Sequence, residues 1–247
     1  ESAYGILIDI TDHKRLEEEV ARIHNLESLG TLAGGIAHDF NNMLTGVTGN
    51  LALLARLLQK ESEEHQLARE ALDSAIRTKG LTQQLMTFAG GGAPVKEAAS
   101  IESLIRETTA LSLRGANTKA AFALAEDLRS VNVDPGQIGQ VIQNLVLNAD
   151  QATPNGGTLH ILADNVVISA GDALPLEPGA YVRIEVRDEG VGIPDRILHQ
   201  VFDPYFTTKE AGHGLGLAIC HSIIQRHGGH ISVESERGEG TAFTFYL

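Results

Sequence analysis

The chain has 247 residues, 43 % of them apolar and 21 % charged, with a formal net charge of -13. That length suffices for two domains with separate cores, and the balance is that of a folded chain rather than a disordered one. The acidic excess argues against nucleic-acid and anionic-membrane surfaces, which select Lys and Arg, although a few cations and backbone N–H groups still suffice to hold one phosphate.

One cysteine, Cys220, excludes an internal disulfide and a cysteine-built zinc cluster, and suits a reducing cytosol. No run approaches the roughly 18 apolar residues of a membrane span. The first residue is not Met and no signal peptide precedes the fold, so the chain reads as a piece of something longer.

Residues 1–12 hold an apolar run, Tyr4-Gly5-Ile6-Leu7-Ile8, then Asp9-Ile10-Thr11-Asp12. They read as one strand and a helix N-cap, and a single strand cannot bury itself. From Lys14 to about Lys60 no proline occurs, and Leu26, Leu29, Ala33, Ile36, Phe40, Met43, Val47, Leu51, Leu54 and Leu58 form an a/d seam. Leu16, Val20 and Ile23 join it through an extra three-residue step, a stammer that overwinds a coiled coil. A second helix over about 63–89 carries Leu67, Ala71, Ser74, Thr78, Leu81, Leu85 and Phe88 at the same spacing, after a charged turn at Lys60-Glu61-Ser62-Glu63-Glu64. Two such helices make a hairpin, and two hairpins make a dimeric four-helix bundle.

Gly90-Gly91-Gly92-Ala93-Pro94 breaks the helical pattern and reads as a linker. Helices are then expected at about 100–114, 135–153, 194–200 and 215–227. Strands are expected at about 118–125, 157–168, 180–188, 230–235 and 240–247. Asp134-Pro135 supplies an N-cap and a first-turn proline. The pattern describes an α+β sandwich, a mixed sheet with helices on one face.

His38 falls at heptad position f, pointing away from the seam. Such a residue is ordinarily a plain surface histidine, but Gly34-Gly35 stand one turn before it, where each glycine costs about 1 kcal/mol against Ala. Asp39 follows directly, and Asn42 lies one turn on along the same face. A neutral imidazole Nε2 is a competent nucleophile near pH 7; a carboxylate on Nδ1–H fixes its tautomer, and an amide can orient a water for the reverse step.

The run from Gly30 to Asn42 resembles the phosphoacceptor box of sensor histidine kinases. By that resemblance His38 is phosphorylated, Asp39 assists, and Asn42 helps dephosphorylate a partner. Four later segments resemble the boxes of the same family's ATP-binding domain, which shares its fold with gyrase-type ATPases. In the first, Asn144 and Asn148 stand four apart on a largely apolar helix. Taken alone they are polar caps on a buried helix; the resemblance makes their oxygens face Mg²⁺. Gln151 stands where many relatives have Lys, which puts a phosphate contact there in doubt.

The second, Asp188-Glu189-Gly190-Val191-Gly192, is by itself a turn; the resemblance has the Asp188 carboxylate accept from the adenine amino group while Gly190 and Gly192 let backbone approach the base. The third, Phe202 to Lys209, packs aromatics and ends in a lysine suited to a γ-phosphate. The fourth, Gly212-His213-Gly214-Leu215-Gly216, precedes a helix whose N–H groups suit phosphates, with 207–214 as a lid. Thr241, in a last glycine turn, is expected in the phosphate pocket.

The resemblance covers about residues 14–247, and residues 1–12 resemble the exit of a PAS sensor domain. It implies a PAS-like end at 1–13, a dimerisation and phosphotransfer domain at 14–90, a linker at 91–96 and a catalytic domain at 97–247. The implied activity is Mg²⁺- and ATP-dependent autophosphorylation of His38, then transfer to an Asp of a response-regulator receiver domain. The implied setting is a cytoplasmic homodimer, without nucleic acid and without membrane contact in this fragment. Two other classes stay open: a gyrase-like ATPase, and a degenerate kinase acting as a scaffold or phosphatase. His199, His221, His227 and His230 match no ligand pattern and read as structural or surface groups.

Overall fold

A computed structural model describes residue 40 and residues 43–60, 62–90, 94–209 and 214–247, with the side chains of residue 77 and residues 79–90 outside the description. The strand expected at 1–12, the stammer, the phosphoacceptor residues His38, Asp39 and Asn42, residues 91–93 of the linker, and Gly212 with His213 all lie outside the described residues. The chain forms two compact units, Glu1–Gly91 and Gly92–Leu247.

In the first unit, α1 is helical over 43–57 and α2 spans Glu63–Gly90, with a break at 58–62 on the charged turn. Ser62 ends that turn and caps α2: its Oγ accepts from the His65 N–H at 3.1 Å. Glu63 and Glu64 lie in the first turn of α2, where unpaired N–H groups and the helix dipole favour carboxylates. The Glu64 carboxyl is accordingly held below its usual range, by its own backbone N–H and then by Ser62.

Among the described residues, much of the seam expected from periodicity is open in the single chain, while Leu51 and Leu58 are half-buried. Met43 is 67 % exposed and Leu67 59 %, and Val47 and Leu54 are also exposed. Among the described side chains of α2 the buried positions are Ala68 and Ala75, seven residues apart and one step round the helix from Leu67 and Ser74. An apolar stripe wider than one seam has two flanks, and spacing alone does not say which flank packs within the chain.

In the second unit a five-stranded sheet runs in the order β2 (Lys119–Leu124), β4 (Thr158–Ile168), β5 (Gly179–Asp188), β7 (Gly240–Tyr246), β6 (His230–Glu236). β2 and β4 are parallel and every other neighbour pair is antiparallel. The parallel pair requires a crossover, and α4 (Pro135–Ala152) supplies it. Its N-terminus is fixed by Asp134, whose Oδ1 accepts from Gly136 and Gln137 N–H, with Pro135 behind it. α4 packs between α3 (Ile101–Ser112) and α6 (Gly216–Arg226), and α5 (Asp195–Leu198) is a single turn.

Strand alternation decides which sheet face these helices cover. Leu159, Ile161 and Ala163 of β4 and Val182, Ile184 and Val186 of β5 are buried, while Leu162, Arg183 and Arg187 between them are exposed. The other wall of the core is Ile101 and Ile105 of α3, Ile138, Ile142 and Leu145 of α4, and Ile219 and Ile224 of α6. The mixed sheet with helices on one face is therefore present as expected. A two-stranded antiparallel pair, β1 (Glu97–Ala99) with β3 (Val131–Val133), was not expected. Three-residue strands, one of them Glu-Ala-Ala, carry almost no β signal.

Candidate functional site

The second unit gathers the motif residues along α4, the end of β5 and the start of α6. Asn144, Asn148 and Gln151 stand at i, i+4 and i+7, so one face of α4 carries three amides. Asn144 is 9 % exposed and its Nδ2 donates to the Gly216 carbonyl at 3.2 Å, tying α4 to the first residue of α6. Lys209 Nζ donates to Asn148 Oδ1 at 3.3 Å and to Gln151 Oε1 at 2.6 Å. An exposed cation thus rests on two amide oxygens. Its pKa is held below the usual lysine value by partial desolvation, against the attraction of Asp188.

Asp188 ends β5 and is only 5 % exposed. Burial pushes its pKa up; the N–H groups of Gly190 and Thr241, and the charge of Lys209, oppose that shift. The Gly190 N–H reaches Asp188 Oδ1 at 2.9 Å. A Cβ on Gly190 would lie 2.5 Å from the Ala152 carbonyl oxygen, so here glycine serves contact between the β5 exit and the end of α4. Gly192 is likewise packed on protein, on the Glu236 carbonyl at the end of β6. Among the described residues, both glycines allow close approach of neighbouring backbone.

Gly214 has φ +66°, and a Cβ there would overlap the backbone of Tyr205 and Phe206. The glycine and aromatic boxes therefore pack on each other. Leu215 is buried and is the N-cap of α6, with no side-chain oxygen to offer, so the first-turn N–H groups of α6 are available to an anion. Thr241 pairs with Asp188 in the β5–β7 register and is buried beside it.

Residues 133–247 match the family of histidine kinase-, DNA gyrase B-, and HSP90-like ATPases. Sensor kinase CckA of Brucella abortus (strain 2308) is 36 % identical over 256 residues, a match covering 100 % of this chain and 27 % of that protein. This chain carries a histidine kinase catalytic core. It is similar in structure to full-length ShkA in complex with AMPPNP, at 25 % identity and TM-score 0.71 over 87 % of this chain and 45 % of that one. It is also similar to histidine kinase ThkA in complex with the response regulator protein TrrA, at 27 % identity and TM-score 0.58 over 97 % of this chain and 67 % of that one.

Several groups of this histidine kinase domain had no sequence signal. Ser235 Oγ accepts from the Ile193 N–H at 2.8 Å, donates to the Gly240 carbonyl at 2.7 Å and lies 2.9 Å from Thr241 Oγ1. One hydroxyl thereby joins the Asp188 loop to both sides of the last hairpin. Thr118 Oγ1 donates to Asp150 Oδ1 at 2.5 Å at the last turn of α4. His227 is a fixed neutral imidazole: Nδ1–H donates to the Ile223 carbonyl at 2.8 Å and Nε2 accepts from the Asp134 N–H at 3.0 Å. Cys220 is buried and its thiol pKa is pushed up to about 12 by desolvation.

Proposed function

We propose that this chain is the core of a sensor histidine kinase of a two-component system. It moves the γ-phosphoryl group of ATP onto His38 and from there to an aspartate of a response-regulator receiver domain. The observation that carries this reading is the convergence of Asp188, the amide face of α4, Lys209 and the α6 N-terminus in an ATPase domain of histidine kinase kinship. The likeness to a kinase seen in complex with its response regulator supports the second transfer.

Residues 97–247 act as the catalytic domain. Asp188 accepts from the adenine amino group, a donor that guanine lacks at that position. The α6 first turn and Lys209 take the phosphates. Gly190, Gly192, Gly212, Gly214, Leu215, Gly216 and Thr241 frame the pocket. Asn148 fits a Mg²⁺ ligand, since its oxygen already accepts from a cation, and the ion when bound would offset phosphate charge. Asn144 is nearly buried and gives its Nδ2 to the Gly216 carbonyl, which leaves its Oδ1 as the atom that would face the ion.

Residues 14–90 act as the dimerisation and phosphotransfer domain. Nε2 of His38 attacks the γ-phosphorus in line, the bond to the β,γ-bridging oxygen breaks, and ADP leaves. Asp39 accepts from Nδ1–H and Asn42 serves the hydrolytic step on the phosphorylated partner. The exposed Met43, Val47, Leu54 and Leu67 support a homodimer through these helices. Residues 1–13 act as the exit of a PAS-like domain, and the whole works in the cytoplasm; no helix among the described residues is long and apolar enough to cross a membrane.

The test is incubation with γ-labelled ATP. The expected product is acid-labile, base-stable label that is absent from His38→Gln; label persisting in that variant overturns the acceptor assignment.

A further inference from the structure

We propose that Gln151 is a positioning residue that holds the Lys209 ammonium on the amide face of α4 before nucleotide arrives. The proposal rests on reading Lys209 as the phosphate-facing cation. Its basis is the shorter of the two contacts that the Lys209 ammonium makes among the described residues, 2.6 Å to Gln151 Oε1 against 3.3 Å to Asn148 Oδ1. The two residues are 58 positions apart in the chain, so this contact is tertiary and not a by-product of local helix geometry.

The chemistry of position 151 suits that task. Gln151 sits in the last turn of α4, one turn beyond Asn148 on the same face. A neutral amide oxygen orients an ammonium without cancelling its charge, so the cation stays available to phosphate. A carboxylate there would hold the lysine in an ion pair and repel the incoming phosphates, and a second ammonium would offer no acceptor. The carboxylate next to it, Asp150, has its Oδ1 engaged by the Thr118 hydroxyl. The anion that attracts Lys209 is the buried Asp188. Gln151 therefore keeps the long, rotamer-rich lysine from wandering, while Asn148 Oδ1, at the longer 3.3 Å, holds it less closely.

The experiment uses the 247-residue chain and three variants, Gln151→Leu, Gln151→Glu and Lys209→Met, together with the Gln151→Leu/Lys209→Met double variant. In the nucleotide-free protein, a lysine-selective acylating reagent with peptide mapping should modify Lys209 about threefold faster in Gln151→Leu, the scale of one exposed hydrogen bond. Gln151→Glu retains an acceptor and should modify no faster than wild type. At saturating ATP, His38 labelling in Gln151→Leu should slow by about fivefold while ATP affinity changes less than about twofold, and that loss should vanish in the Lys209→Met background. Additive losses in the double variant, or wild-type behaviour of Gln151→Leu beside an impaired Lys209→Met, overturn the proposal alone. Normal ATP binding and labelling in Lys209→Met overturns the phosphate reading of that lysine and this proposal with it.

Discussion

The two units bury their apolar side chains in different ways. In residues 94–247 the helices and the sheet close on each other, and Ile105, Ile138, Ile184 and Phe245 have no exposed surface. In residues 43–76 the helices keep Met43, Val47, Leu54, Leu57 and Leu67 at the surface of the single chain. Open apolar surface of that density is the usual mark of an interface, whereas the second unit exposes such side chains more sparsely, at Val95, Leu111, Val167 and Val191 among others. The difference teaches that the proposed dimer belongs to the first unit's folding as much as to its function.

The largest effect should come from the open flank. Val47→Glu with Leu54→Glu places charge where the proposed partner packs, and light scattering should find a monomer that no longer labels His38. The second unit should melt unchanged. A dimer persisting in that variant would break the comparison. A cavity in the closed core is the reciprocal case: Ile184→Ala should cost about 2–5 kcal/mol in denaturant unfolding of the second unit without altering the oligomeric mass. Asp188→Asn removes a charged acceptor from the nucleotide pocket and should weaken ATP binding by about 1.5–3 kcal/mol in calorimetry, with dimerisation intact.

The smallest effect should be a pH slope from His227. Burial, with Lys96 nearby, lowers its pKa from 6.5, while Ile223 and Asp134 oppose the shift. The native state therefore prefers the neutral ring. Its contribution is present above pH 6.5 and is lost as pH falls through that value toward the lowered native pKa. His227→Gln should flatten the decline in melting temperature of the second unit between about pH 7 and pH 5.5; an unchanged slope would assign the decline elsewhere.

Most of the second unit was readable before its structure. Strand alternation in β4 and β5, the Asp134-Pro135 start of α4 and the glycines before α6 each combine a local rule with a local cause. What escaped is what depends on neighbours far along the chain. Lys209 and Gln151 meet only because β4, β5 and α5 lie between them, so no window of sequence holds both. Ser235 looks like any hydroxyl near a strand end until the Asp188 loop arrives above it. In the first unit, the heptad pattern puts Leu67 and Ser74 on the seam of a dimeric bundle, and the single chain buries their neighbours Ala68 and Ala75. The residues read as the acceptor site, His38, Asp39 and Asn42, rest on their motif, and the labelling experiment tests them.

Cys220 makes such experiments easier than usual. It is the one cysteine of the chain, sealed beneath α4 with its Sγ toward the Val141 carbonyl at 3.8 Å. Burial pushes its pKa up to about 12, so the reactive anion is scarce at neutral pH. A fluorophore or spin label attached to a cysteine introduced at Leu57 or Lys60 will therefore report from a silent background, with the native sulfur left in place.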